Sequence, residues 1–283
     1  MFTWGSTQER GTAITGPVMG IVNVTPDSFS DGGRWLDADA ARAHANELLA
    51  AGAAILDVGG ESTRPGAEPV SADDEIARVV PVVAALAPHA VVSVDTSKAV
   101  VAEAAIAAGA SIVNDVSAGR HDPDMLRVVA EAGVGFIAMH MQGEPRTMQH
   151  DPRYDDVVAE VADHLRARCD AAVSAGIAPE ALMVDPGIGF GKTVEHNVAL
   201  LAHLETICDR VEVPVLVGAS RKSFLGALAG TGTDASAREA ATVATTVWAL
   251  EHGATMVRVH DVAASVRAAA IVDRLRAVTA VAA

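Results

Sequence analysis

Eight short apolar segments recur along the chain with helical-looking stretches between them, and no other feature narrows the fold so far. They lie at 18–24, 54–58, 91–94, 111–113, 135–139, 182–184, 215–217 and 256–259. Each is mostly apolar rather than alternating, as expected of parallel strands covered by helices on one side and packed inside a barrel on the other. Alanine-rich stretches of helical period lie between them, among them 39–51, 73–86, 100–108, 154–175 and 238–252. Gly52, Gly109, Gly133, Gly176 and Gly253 each stand between such a stretch and the next strand, where a glycine suits a helix C-cap. Eight helix–strand units, five of them joined through a glycine, in 283 residues predict α/β architecture, a single (β/α)8 TIM barrel over residues 16–283, preceded by a variable tail over 1–15. A doubly wound sheet usually has fewer strands, and no linker-like composition splits the chain.

Charge and composition exclude several classes of partner. A formal charge of −15 argues against nucleic acid or an anionic membrane surface, both of which are bound through Lys and Arg. No apolar run approaches the roughly 18 residues needed to cross a bilayer. Residues 1–10 lack the apolar core of a secretory signal, so a cytoplasmic location is expected. Cys169 and Cys208 fall in helical stretches, where packing is the expected role. An anionic ligand would need a local basic site.

Polar residues stand where the apolar runs stop: Asn23, Asp57, Asp95, Asn114, His140, Asp185, Ser220, and the pair Arg258 and His260. Taken singly, an Asp or Asn after a strand is an ordinary turn former or helix cap. Taken together in a barrel they share one face, the one that carries catalysis. Arg258 and His260 are two apart on a strand and point the same way, two donors side by side for an anion. The second strand runs into Gly59-Gly60-Glu61-Ser62-Thr63-Arg64-Pro65-Gly66-Ala67, an irregular loop at that face. After the seventh strand, Ser220-Arg221-Lys222-Ser223 places two cations at a helix start, where backbone amides hold anions.

One motif misleads. The segment from Pro186 to Thr193 ends in Gly-Lys-Thr like a nucleotide-binding loop, yet Pro186 occupies the position of the first glycine and removes a cradle amide. Lys192 likewise breaks the three-glycine dinucleotide spacing. Neither ATP nor a dinucleotide is expected.

The run Asn23-Val24-Thr25-Pro26-Asp27-Ser28-Phe29-Ser30-Asp31-Gly32-Gly33, the Arg64 loop, Ser93-Val94-Asp95-Thr96, Val113-Asn114-Asp115-Val116-Ser117, Asp185-Pro186-Gly187-Ile188-Gly189-Phe190, the Ser220-Arg221-Lys222 segment and Arg258-Val259-His260-Asp261 together resemble dihydropteroate synthase. The resemblance runs from about residue 18 to the end. It implies a transferase that joins 7,8-dihydropterin-6-ylmethyl pyrophosphate to 4-aminobenzoate in folate biosynthesis, releasing pyrophosphate. It implies that Asp185, Asn114, Lys222 and Asp95 contact the pterin, with Met139 lining its pocket and Arg258 covering the ring. Asn23, Arg64, Arg258 and His260 would hold pyrophosphate, with Mg2+ on the Asn23 oxygen. Thr63, Pro65, Phe190 and Ser223 would form the 4-aminobenzoate site. By the same resemblance Asp95, Lys222, Arg64 and His260 carry catalysis, loops 25–35 and 62–70 move, sulfonamides inhibit, and the protein is a homodimer. Two rivals share the pterin clamp. A pterin-dependent methyltransferase barrel has no need of the pyrophosphate residues, and a catalytically silent pterin-binding paralogue would lack part of the Arg64 loop or the Ser220-Arg221-Lys222 segment, both intact here.

Overall fold

The computed structural model describes residues 16–24, 34–63, 66–232, 234 and 236–282. Residues 1–15, most of the first expected mobile loop, and Arg64 and Pro65 lie outside these.

Eight parallel strands alternate with helices in chain order: β1 (Val18–Asn23), α1 (Arg34–Ala50), β2 (Ile55–Gly59), α2 (Ala72–Leu86), β3 (Val92–Asp95), α3 (Ala99–Ala107), β4 (Ile112–Asp115), α4 (Met125–Ala132), β5 (Gly135–Met139) and α5 (Val157–Ser174). There follow β6 (Leu182–Asp185), α6 (Val194–Ala202), α7 (Leu204–Val211), β7 (Leu216–Val217), α8 (Ser223–Ala229), α9 (Glu239–Glu251), β8 (Met256–Val259) and α10 (Val262–Ala282). Hydrogen-bonded neighbours run β6-β5-β4-β3-β2-β1-β8-β7. A parallel bridge from Val184 to Val215 joins the two ends and closes the barrel. The expected strands are all present, and the five glycines expected to follow helices all adopt positive φ, from 63° at Gly133 to 113° at Gly109.

Two apolar layers follow from strand alternation. Helix-facing residues such as Val18, Val58, Val94, Phe136 and Val184 pack under the surrounding helices. Met19, Ile55, Ile112, Ile137, Met183, Leu216 and Met256 form a separate buried cluster, drawn from seven of the eight strands, that fills the barrel interior. Side chains two apart on a strand face the same way. The residues two positions after Ile55, Ile112, Met183 and Met256 are Asp57, Asn114, Asp185 and Arg258, so the barrel axis changes from apolar floor to polar mouth within one step. The register agrees: Asp95 lies beside Asn114, Gly59 beside Asp95, and Met139 beside Asp185. Polar groups at these positions avoid desolvation without a partner only where they find one another.

Candidate active site

Asp57 anchors one side of the mouth. Fully buried on β2, it accepts at Oδ2 from Asn114 Nδ2 at 3.0 Å and from Arg258 Nε at 2.6 Å. The same guanidinium donates through Nη2 to Asp95 Oδ2 at 2.7 Å. Four strands thus contribute to one chain of contacts, Asn114–Asp57–Arg258–Asp95. Asp57 Oδ1 has no hydrogen-bond partner among the described residues, which leaves an acceptor at the head of the network. In the sequence Asp57 is a strand-end carboxylate with no role assigned to it. The signal was the two-residue step from Ile55, which places it on the axis.

Asp185 anchors the other side. Its Oδ1 accepts the Gly187 amide at 2.7 Å, fixing the start of the glycine-rich loop. Lys222 donates to the Ile188 carbonyl of that loop, and its Nζ lies 4.4 Å from the centre of the Phe190 ring, a cation–π distance. The loop needs its glycines. At Gly187, φ 68°, an added Cβ would stand 1.8 Å from the His140 carbonyl oxygen, and at Gly189, φ 84°, 2.9 Å from the Lys222 side chain. Met139 is buried and packs in a small cluster with Val116, Met141 and Met148, against which Phe190 rests.

Other expected residues occupy the rim. Asn23, half-buried at the end of β1, has no side-chain hydrogen bond to the described residues. His260 Nδ1 lies 3.0 Å from Ser220 Oγ, which also accepts the His260 amide at 3.2 Å. Ser223 is the exposed first residue of α8. Thr63 is half-buried after β2, while Arg64 and Pro65 lie outside the described residues. The neck of their loop is tied down: Glu61 accepts the Val70 amide at 3.0 Å and pairs with Lys98, which also binds buried Glu75 at 2.6 Å.

Two expectations fail for clear reasons. His140 does not join the ring. It follows Met139, so alternation turns it away from the axis, and its Nδ1 lies 2.9 Å from Lys192 Nζ with the His164 ring 4.8 Å off. Arg221 does not add a second cation to the mouth. At φ 58° its backbone turns back, its side chain pairs with Glu239, and its amide donates to Thr242 Oγ1 at 3.2 Å.

Burial and pairing set the charges. Burial raises the Asp95 pKa to about 7, only partly opposed by Arg258. Burial likewise raises Asp185, with Lys222 opposing. Lys222 is lowered by burial to about 8, with Asp185 holding it up. Burial works against the Arg258 charge, but Asp57 and Asp95 outweigh it and hold the guanidinium protonated. Carboxylates facing two fixed cations in a desolvated cup suit a flat ligand with donors and acceptors on one edge, because an analogue lacking them leaves buried groups unpaired. No cluster of three or more His, Cys, Asp or Glu able to hold a metal occurs among the described residues. A metal there would need oxygens from a ligand.

The arrangement has close counterparts. A sequence profile of the family described as pterin binding enzyme matches residues 19–260. A dihydropteroate synthase from Mycobacterium leprae is 51% identical over 262 residues, covering 90% of this chain and 92% of that one. The structure of Xanthomonas albilineans dihydropteroate synthase with 4-aminobenzoic acid superposes with a TM-score of 0.86 at 48% identity, over 92% of this chain and 93% of the other. That of the Yersinia pestis enzyme in a sulfonamide drug complex gives 0.88 at 45% identity, over 96% and 98%. With identity this high over nearly the full length and on the same fold, the chain belongs to the pterin-binding enzymes and, among them, to the dihydropteroate synthases.

Proposed function

We propose that the mouth of the barrel binds 7,8-dihydropterin-6-ylmethyl pyrophosphate beside 4-aminobenzoate and joins them to give 7,8-dihydropteroate and pyrophosphate, a step of folate biosynthesis. The observation that carries this reading is the network Asn114–Asp57–Arg258–Asp95 together with buried Asp185 and with Lys222, which both hold the glycine loop, Lys222 lying over the Phe190 ring. Between them they offer carboxylates, amide and cations to one flat heterocycle. Asp185 and Asn114 take the aminopyrimidine edge, Lys222 the carbonyl side, Asp95 the reduced ring, Met139 lines the pocket, and Arg258 covers the ring face.

Pyrophosphate is held by Asn23, Arg64, Arg258 and His260. The Asn23 amide oxygen, which has no hydrogen bond among the described residues, fits a hard cation, and Mg2+ commonly takes few protein ligands beside phosphate and water. Bound there, Mg2+ would supply charge that stabilises the leaving pyrophosphate. The 4-aminobenzoate site is made by Thr63, Pro65, Phe190 and Ser223, with the carboxylate near the start of α8. In the reaction the carbon–oxygen bond of the pterin methylene breaks and its electron pair leaves with pyrophosphate. Positive charge spreads onto the ring nitrogens, where ionised Asp95 stabilises it. The aniline nitrogen then forms the new carbon–nitrogen bond and loses a proton. Sulfonamides copy the aniline and its acidic end and compete with 4-aminobenzoate.

A methyltransferase reading leaves Arg64 and His260, both assigned to pyrophosphate, without a purpose. Cytoplasmic residence fits two unpaired thiols, Cys169 and Cys208, and no helix among the described residues is long and apolar enough to cross a membrane. A homodimer fits the α10 surface, where Ile271 and Val278, seven apart, are 62% and 71% exposed on one helix face.

Calorimetry with a pterin analogue tests the assignment of the site. Asp185→Asn turns an acceptor into a donor toward the ring's amino group and should weaken binding about tenfold or more, ~1.4 kcal/mol. A loss below about threefold removes Asp185 from the clamp.

A further inference from the structure

The loop from Gly187 to Gly191 presents five successive carbonyls, and each has a donor. Gly187 O accepts from the Phe190 amide at 3.0 Å, Ile188 O from Lys222, Gly189 O from Gln149 Nε2 at 2.5 Å, Phe190 O from Lys192 Nζ at 3.0 Å, and Gly191 O from Tyr154 Oη at 2.8 Å. Lys192 is the unexpected donor. It is 3% exposed, its second contact is His140 Nδ1 at 2.9 Å, and no carboxylate among the described residues forms an ion pair with it. A buried ammonium without a counterion is costly, and an unbranched apolar chain would fill the same space more easily. What the amine adds is two directed hydrogen bonds.

Those two bonds join the backbone of the glycine loop to the segment that follows β5. The same segments already touch elsewhere: an added Cβ on Gly187 would meet His140 O at 1.8 Å, and one on Gly191, φ 62°, would meet Gln142 O at 2.3 Å. Phe190 sits between two glycines in left-handed conformation, so local backbone preference does little to fix its ring. The chemistry of the pair is self-consistent. Burial, with Lys222 adding to it, brings Lys192 down to about 7, and a neutral amine has one proton for each of its two acceptors. Burial, the largest cause, keeps His140 unprotonated down to about pH 2, so a ring nitrogen can accept.

We propose that Lys192 and His140 form a buried latch that fixes the Phe190 carbonyl, and through it the Phe190 ring against Lys222, which makes Lys192 a positioning residue for the 4-aminobenzoate site. The role in substrate binding rests on the function proposed above, whereas the latch itself does not.

The test uses Lys192→Met, His140→Leu and His140→Asn, the last of which keeps an acceptor where Nδ1 stands. Two readouts are taken on the folded protein: the KM and kcat with 4-aminobenzoate, and substrate-free hydrogen exchange at the Gly189 and Phe190 amides, which bond to Asn197 Oδ1 at 2.6 Å and Gly187 O at 3.0 Å. Lys192→Met and His140→Leu should raise KM about fivefold or more with a smaller change in kcat and speed exchange about tenfold. His140→Asn should stay within about twofold of the parent on both. The proposal is overturned if Lys192→Met leaves KM and exchange within about twofold, or if His140→Asn is as impaired as His140→Leu, which assigns the effect to ring packing. Should the parent make no dihydropteroate while exchange responds as stated, the functional reading falls and the latch stands.

Discussion

Asp95 and Lys222 are both driven toward neutrality by burial, from opposite directions. Asp95 binds its proton up to about pH 7 and Lys222 releases its own near pH 8. The proposed chemistry needs Asp95 ionised, to face a positive pterin ring, and Lys222 protonated, to meet the pterin carbonyl. The kcat/KM for the pterin substrate should therefore rise as pH passes about 7 and fall above about 8, a narrow bell whose limbs belong to the free protein. Asp95→Asn should abolish the acid limb and lower the plateau. A flat profile from about pH 6 to 9 would contradict both roles. At this scale the sequence showed which residues stop each strand but not which of them touch. Asp57 passed without a role because a strand-end Asp is so often a cap, whereas its burial and its hold on Asn114 and Arg258 exist only once four strands are brought together.

The barrel strands are legible because each is an apolar run and five of the eight also have a glycine between the preceding helix and the strand, two independent signals agreeing. The polar mouth was half legible. Alternation along β5 sends Met139 to the axis and His140 outward, but a strand of five residues whose chain then bends gives no sequence marker of where alternation stops mattering. The glycine loop after β6 was read only for what it could not bind. Its structural demand is steric: Gly187 stands against a carbonyl oxygen, while Gly230, φ 66° at the end of α8, has nothing within 4 Å of an added Cβ. Gly230→Ala should then cost only the left-handed strain, about 1 kcal/mol. Gly187→Ala adds a clash with backbone and should cost at least about 2 kcal/mol more, with a large loss of turnover. Urea unfolding of the two variants side by side checks this, and equal losses would mean that the loop does not press on the segment that follows β5 as described.

At the scale of the whole molecule, the exposed apolar face of α10 lies on a helix that packs against β1 and α9. If two copies meet there, Ile271→Glu should shift the mass measured by light scattering from two chains to one, while the pterin site keeps its affinity. An unchanged dimer would place the interface elsewhere, and a parent protein of one-chain mass would remove the dimer altogether. Net charge belongs to the same scale: at −15 the chain repels anions at long range, so the proposed anionic substrate would rely on the local cations Arg258 and Lys222, with Arg64 proposed beside them. The proposed function requires one mouth to couple loss of pyrophosphate to capture of an aromatic amine. Its most direct test is pyrophosphate release from dihydropterin pyrophosphate with Mg2+ present, followed before and after 4-aminobenzoate is added. Release that depends on the amine and matches dihydropteroate formed, one for one, is the predicted result; no amine-dependent release, or release without the condensed product, would contradict it.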